Sequence, residues 1–279
     1  MKIKIRKKSV TSSVLFIVLL IISLLFVIPI LYCVFTSFKT SSEILREVTF
    51  FPRQFTLENY KYVFERGAKY LNYYWNTIVI TVASVVATVL MAALAGYAFA
   101  KLPFRGSNQI LAGILFVLTF PLTAMLIPIY MMESNLGIIN THIGMILPNI
   151  ICILPFSIFI MRGTFRGLPQ ELEDSAEIDG CGVVRTWWNI MLPLAKNALV
   201  IVIVSGFYNV WGEYTIAKTL ATRENIMPIS VALTLLKGED WNYGVLSSAI
   251  TMSIIPPIVI FAAFQSQLVE GMVAGSVKG

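Results

Sequence analysis

Six long runs, almost free of charge, decide what this chain can become. They are residues 14–38, 77–100, 110–132, 143–161, 198–217 and 245–264, and only Glu213 puts a formal charge inside any of them. An α-helix needs about 20 apolar residues to cross the hydrocarbon core of a bilayer. Where no water can pair with the backbone, only helices and closed barrels satisfy their own N–H and C=O groups. Barrel strands are shorter, about 10 residues, and alternate apolar with polar side chains. The expected fold is therefore all-α: a polytopic membrane protein with six transmembrane helices. Composition agrees, because 13% of the residues are charged and 57% hydrophobic, against roughly 25% charged in soluble domains.

The basic start, with Lys2, Lys4, Arg6, Lys7 and Lys8, resembles the first part of a secretory signal. The apolar run behind it is too long for one, and no small-x-small cleavage site follows. It reads as an uncleaved first helix whose cationic flank stays in the cytoplasm by the positive-inside rule. Six crossings then return the tail, residues 265–279, to the same side. Lys and Arg favour that orientation only narrowly when counted over the whole chain, and the excess comes from the N-terminal cluster, so the orientation rests on it. The net charge of +6 is accounted for by anionic lipid at the cytoplasmic face, and calls for no nucleic acid.

Several chemistries have little to build on. His142 is the single histidine, and at the mouth of the fourth run it reads as a solvated residue, so a His-based zinc site or a Ser/His/Asp triad is not expected. Cys33, Cys152 and Cys181 form no CxxC pair and read as small hydrophobes. Neither GxxxxGK[ST] nor GxGxxG occurs, so no phosphate-binding loop is expected. Buried carboxylates are too few for the ion relay of a secondary transporter.

Proline marks the third run at Pro121 and Pro128, the fourth at Pro148 and Pro155, and the sixth at Pro256–Pro257. Each removes a helical hydrogen bond and bends the helix, which suits a bundle around a cavity. Between the first two runs, residues 39–74 are rich in Phe, Tyr and Trp. Such residues collect at membrane interfaces, and residues 57–66 suggest a short amphipathic helix lying there. Near the end of the fifth run, "FYNVWGEY" (207–214) sets Asn209 and Glu213 four residues apart, on one face of a continuous helix. Glu213 reads either as an interior group or as the helix end in the outer headgroups.

The exception to all this apolarity is the stretch from Glu171 to Pro193, "ELEDSAEIDGCGVVRTWWNIMLP", inside the connector 163–196. Pro169 suits the first turn of a helix. Glu171, Glu173 and Asp174 complement its positive end, and Gly180 with Gly182 stops it. Leu172, Ala176 and Ile178 give only a modest apolar strip. A connector this long in a compact protein is usually functional, and a rigid knob bearing small residues is shaped for another protein's groove.

This stretch resembles the EAA loop of ATP-binding-cassette importer permeases, a pattern of the form E-L-x-E-A-A-x-x-D-G, about nine residues, then I-x-L-P. Glu171, Leu172, Ala176, Asp179, Gly180, Ile190, Leu192 and Pro193 match it, with Asp174 and Ser175 replacing Glu and Ala. The six runs, "FYNVWGEY" and the tail "FQSQLVEGMVAGSVKG" resemble the six-span subunit of the maltose-type carbohydrate branch. The resemblance implies a subunit of the bacterial cytoplasmic membrane, with both termini cytoplasmic. Its partners would be a second permease, two ATPase subunits that hold ATP and Mg, an extracellular solute-binding protein and membrane lipid, with no cofactor on this chain. It implies ATPase coupling through Glu171, Leu172, Asp174, Ser175, Ala176, Asp179, Gly180 and Pro193, the small residues Ser175, Ala176 and Gly180 foremost. It also implies that the tail Glu270–Lys278 reaches towards the ATPases. For a neutral sugar the candidate lining is Asn209, Glu213 and Tyr208, with Thr119 and Met125 beside the third-run prolines. Another cargo, such as glycerol-phosphate or an amino acid, and a stand-alone secondary transporter or channel are the competing readings.

Overall fold

A computed structural model describes residues 10–65, 67–102, 104–236 and 242–276, and every regular element among them is helical. The basic cluster Lys2–Lys8 lies outside the described residues, as do the side chains from residue 269 onward, and with them the tail contacts expected of Glu270–Lys278. Among the described residues four helices are long and apolar enough to cross a membrane, and up to six crossings result when each of two bent pairs counts as one. The residues form two compact units, one reaching up to Gly67 and taking in Leu235–Ile254, the other comprising Ala68–Thr234 with the residues from Ile255.

In the first unit, α1 (Val10–Thr36) has no buried residue in its most apolar window. Its sides are left for lipid or for another chain. The aromatic segment behind it is folded by hydrogen bonds of its own. In α2 (Ser41–Arg46), the Thr40 hydroxyl accepts the Glu43 N–H and caps the helix. The Glu43 carboxylate accepts the Arg53 N–H at 3.0 Å and the Thr49 hydroxyl at 2.9 Å. Lys39 is buried, donates to the Thr49 carbonyl and lies 5.0 Å over the Tyr32 ring. The amphipathic helix expected at 57–66 is α3 (Glu58–Glu65). Its Asn59 ties the chain together by donating to the carbonyls of Ser37 (2.9 Å) and Lys39 (2.8 Å).

The second unit opens with α4 (Gly67–Lys101), which extends the expected 77–100 span by ten residues at its start. The third run is not one straight span. α5 (Ser107–Phe116) passes through a 3₁₀ turn and stops at Phe120, which is extended, and α6 (Leu122–Leu136) leaves at 103°. Pro121 explains the break, since a residue before proline is pushed out of the helical region. Next comes α7 (His142–Arg166), which keeps Pro148 and Pro155 inside it. His142 is not left to solvent: its Nε2 lies 2.9 Å from Asn76 Oδ1.

The connector forms α8 (Glu171–Ile178), α9 (Val183–Thr186), a wide π turn (Trp187–Met191) and α10 (Leu192–Leu194). After a bend of 77° follows α11 (Lys196–Trp211), shorter than the expected 198–217. Then come α12 (Thr215–Leu220), α13 (Ile229–Leu235) and the 34-residue α14 (Tyr243–Ser276), which holds Pro256 and Pro257.

α7 packs against α5, α6, α11 and α12. Lipid tails are as apolar as leucine, so spans associate through close packing at small residues more than through expulsion of water. Ala92, Ala93 and Gly96 are such a strip on α4. A Cβ at Gly96 would lie 2.6 Å from Met161 Cβ on α7, nearer than the two helices allow. Around that contact Tyr97, Phe165, Trp187, Met191, Ala198 and Val202 form one buried cluster. The core of the spans therefore includes the end of the connector.

Candidate functional site

The cassette from Glu171 to Pro193 is built by local rules. The Gln170 carbonyl accepts the N–H groups of Glu173 and Asp174, and three carboxylates sit in the first turn. At the other end, Cys181 N–H bonds to the Ala176 carbonyl at 2.8 Å and Gly180 N–H to the Glu177 carbonyl at 2.9 Å. Those two bonds define a Schellman ending, and Gly180 supplies the left-handed backbone it needs, at φ +75°. Gly182 then leads into α9, and the π turn closes with Leu192 N–H on the Trp187 carbonyl.

The faces of this cassette differ sharply. Glu171, Asp174, Ser175, Asp179 and Gly180 are exposed, as is Pro193. Ala176 is only 3% exposed and Leu172 is half-buried, so these two face their own chain. Ile178 is 86% exposed and Val184 76%, and Trp188 is exposed beside them. Large exposed apolar side chains on the same short cassette as exposed carboxylates have the character of a contact surface.

Glu173 is the acidic residue that turns inward. Its Oε1 accepts the Tyr97 hydroxyl at 2.7 Å, and its Oε2 lies 3.0 Å from Lys101 Nζ. No N–H is aligned on Oε2, so charge holds that pair. Lys101 directs its hydrogen bonds to the Leu168 carbonyl (3.0 Å) and Gln170 Oε1 (3.2 Å). Sequence spacing does not reveal this cluster: 76 positions separate Tyr97 from Glu173. The available signal was one acidic residue too many for a single exposed face.

The candidate cargo residues are not brought together. A cavity of about 170 Å³ lies between α7 and α11, lined by Cys152, Ile153, Phe156, Ser157, Ser205, Gly206 and Asn209. Asn209 donates to the Ser205 carbonyl at 2.8 Å. Tyr208 instead donates to the Pro257 carbonyl of α14 at 2.7 Å. Because α11 ends at Trp211, Glu213 does not share the Asn209 face. Its two oxygens accept the N–H groups of Ile216 (2.7 Å) and Ala217 (2.9 Å), and its carbonyl accepts the Ser230 hydroxyl at 2.6 Å. It lines a separate, much smaller cavity with Thr77, Met145 and Asn149. Thr119 returns its hydroxyl to the Phe116 carbonyl, and Met125 is half-buried. Neither residue lines these two cavities.

Comparison with known proteins places this geometry among relatives. Residues 88–273 match the profile of the family described as binding-protein-dependent transport system inner membrane component. The arabinooligosaccharides transport system permease protein AraQ of Halalkalibacterium halodurans is 31% identical, with 92% of this chain and 93% of that one aligned. The diacetylchitobiose uptake system permease protein DasC of Streptomyces coelicolor is 30% identical over 97% of this chain and 96% of its own. A chain of a bacterial ABC transporter involved in the import of the acidic polysaccharide alginate superposes with a TM-score of 0.82 at 25% identity. That match covers 96% of this chain and all of the other.

Proposed function

This chain belongs to the family of binding-protein-dependent transport system inner membrane components, and from that premise we propose how it works within an ATP-driven carbohydrate importer. It is a multi-pass permease subunit and not a catalyst. Beside a second permease it forms the path for a sugar or oligosaccharide delivered by an extracellular binding protein. Two partner ATPases bind ATP and Mg. α8 is the coupling helix, seated in a groove of one ATPase on the cytoplasmic side, where both termini of the chain also lie. Closure of the ATPases on ATP drags α8, and the bundle opens to the opposite side.

The observation that carries this reading is the exposed face of α8 and α9. Glu171, Asp174 and Asp179 offer charge to basic groups, Ile178 and Val184 offer apolar contact, and Ser175 permits close approach. Ala176 serves differently: its small side chain lets α8 lie against its own bundle. Gly180 fixes the exit angle by ending the helix in a left-handed turn. On the cargo side, Asn209, Ser157 and Ser205 give the 170 Å³ cavity the hydroxyl and amide groups that suit a neutral sugar.

The test uses the complete importer in liposomes. Asp174→Lys and Gly180→Leu should leave assembly largely intact and cut sugar-stimulated ATP hydrolysis and uptake roughly tenfold or more. Unchanged uptake in both variants sinks the coupling role of α8. Solute uptake by the purified chain alone, without an ATPase, would favour a stand-alone transporter instead.

A further inference from the structure

The eight residues of α8 bury little apolar surface, yet the helix is fastened at one point. Glu173 and Lys101 have side chains only 13% and 7% exposed and sit 3.0 Å apart. Tyr97 bonds to the other Glu173 oxygen, and its ring stands edge-on to Phe165 in the last turn of α7, centroids 5.6 Å apart. Lys101 also holds Leu168 and Gln170, the turn that leads from α7 into α8. The end of α4 thus grips α7, the turn and α8 together. With both side chains this little exposed, separating the two charges leaves one of them without compensation, which is strongly unfavourable. Such a cluster moves as one body.

We propose that Glu173 is a positioning residue that transmits displacement of α8 to α4, in contrast to the exposed Glu171 and Asp174, which face the partner. This rests on the coupling role of α8 proposed above. The peptide chain already links α8 to α7 on one side and, through α9 and the π turn, to α11 on the other. No covalent link joins α8 to α4. Among the described residues, the Tyr97–Glu173–Lys101 cluster is the polar tie between them. It makes α4, whose small-residue strip lies against α7, a third helix driven by the coupling movement.

The experiment is a double-mutant cycle in the assembled importer, in liposomes, with sugar-loaded binding protein supplied. Glu173→Gln and Lys101→Met each remove the charge pair while keeping side-chain volume. Each should leave ATPase co-purification and basal ATP hydrolysis intact while sugar moved per ATP falls roughly tenfold. The double variant should lose no more than either single one, because all three break the same tie. Lys101→Arg should retain at least half of the coupling, and Tyr97→Phe, which keeps the ring against Phe165, should show a smaller loss. Additive losses, unchanged sugar per ATP in both single variants, or loss of the ATPase from the complex would each overturn the proposal. Asp174→Lys and Gly180→Leu run in parallel. If they uncouple transport and the Glu173 and Lys101 variants do not, only this inference fails; if none uncouples, the coupling role of α8 fails with it.

Discussion

Glu213 shows what a single residue's neighbours decide. Four positions from Asn209, it belongs on the same face if the helix continues, and the helix does not continue. α11 stops at Trp211, and both Glu213 oxygens are taken by the first amides of α12. An acceptor at a helix start is worth about 1 kcal/mol. Glu213→Ala should therefore lower the thermal midpoint of the purified importer while the KM for sugar uptake stays near its original value. A raised KM with an unchanged midpoint would return Glu213 to the cargo path. The placement of Asn209 on α11 was legible from sequence because it lies inside a regular turn. That of Glu213 was not, because it depends on where a helix ends, and one added turn reverses it. Glu173 was illegible for a different reason: its partners lie on α4, far away in the chain.

At the level of elements, the break at Pro121 was legible from sequence and the hydrogen-bonded fold of the segment after α1 was not. Pro121 breaks the third run by pushing Phe120 out of the helical region, whereas Pro148 and Pro155 stay inside α7. The aromatic stretch 39–74 reads as interface from its composition, and its periodicity does not reveal that within it Glu43 collects the Arg53 N–H and the Thr49 hydroxyl. That hydrogen bonding, the Arg53 N–H first, holds the Glu43 carboxyl below its ordinary value. The sign follows from linkage. A carboxyl with a lowered folded-state pKa stabilises the fold fully above its unfolded pKa, about 4.3, and loses that contribution as pH falls through the lower folded value. The Arg53 amide should keep its hydrogen-exchange protection, corrected for intrinsic rate, from neutral pH down to that range and lose it below. Glu43→Gln should remove the pH dependence and leave the amide weakly protected throughout. Protection in wild type that persists under strong acid would contradict this account.

For the whole molecule, class was legible before any contact was known. Six apolar runs with little charge leave a helical bundle as the outcome, and the spaced cassette points to the family. The size of each span was less legible. α4 and α14 outrun their apolar stretches, since polar residues at a helix end outside hydrocarbon carry no penalty. A permease that alternates between two open sides must change the access to its interior, and Cys152 stands on the wall of the larger cavity. In a Cys33→Ser, Cys181→Ser background, a membrane-impermeant thiol reagent should label Cys152 from one side in the resting importer. The rate should change at least severalfold when ATP closure is trapped. Equal rates in both states would remove this cavity from the moving path.

The wide turn at Trp187–Met191 carries a further consequence. A ring closed by an i→i+5 bond takes up one residue more than an α turn, and each helical residue represents about 100° of rotation. The nine residues between Gly180 and Ile190 are therefore a dihedral setting as much as a length. Deleting Asn189, which lies inside the π turn, would draw that turn into ordinary α register, leave every named contact residue in the chain, and swing the acidic face of α8 about a quarter of a circle away from its present bearing on α11.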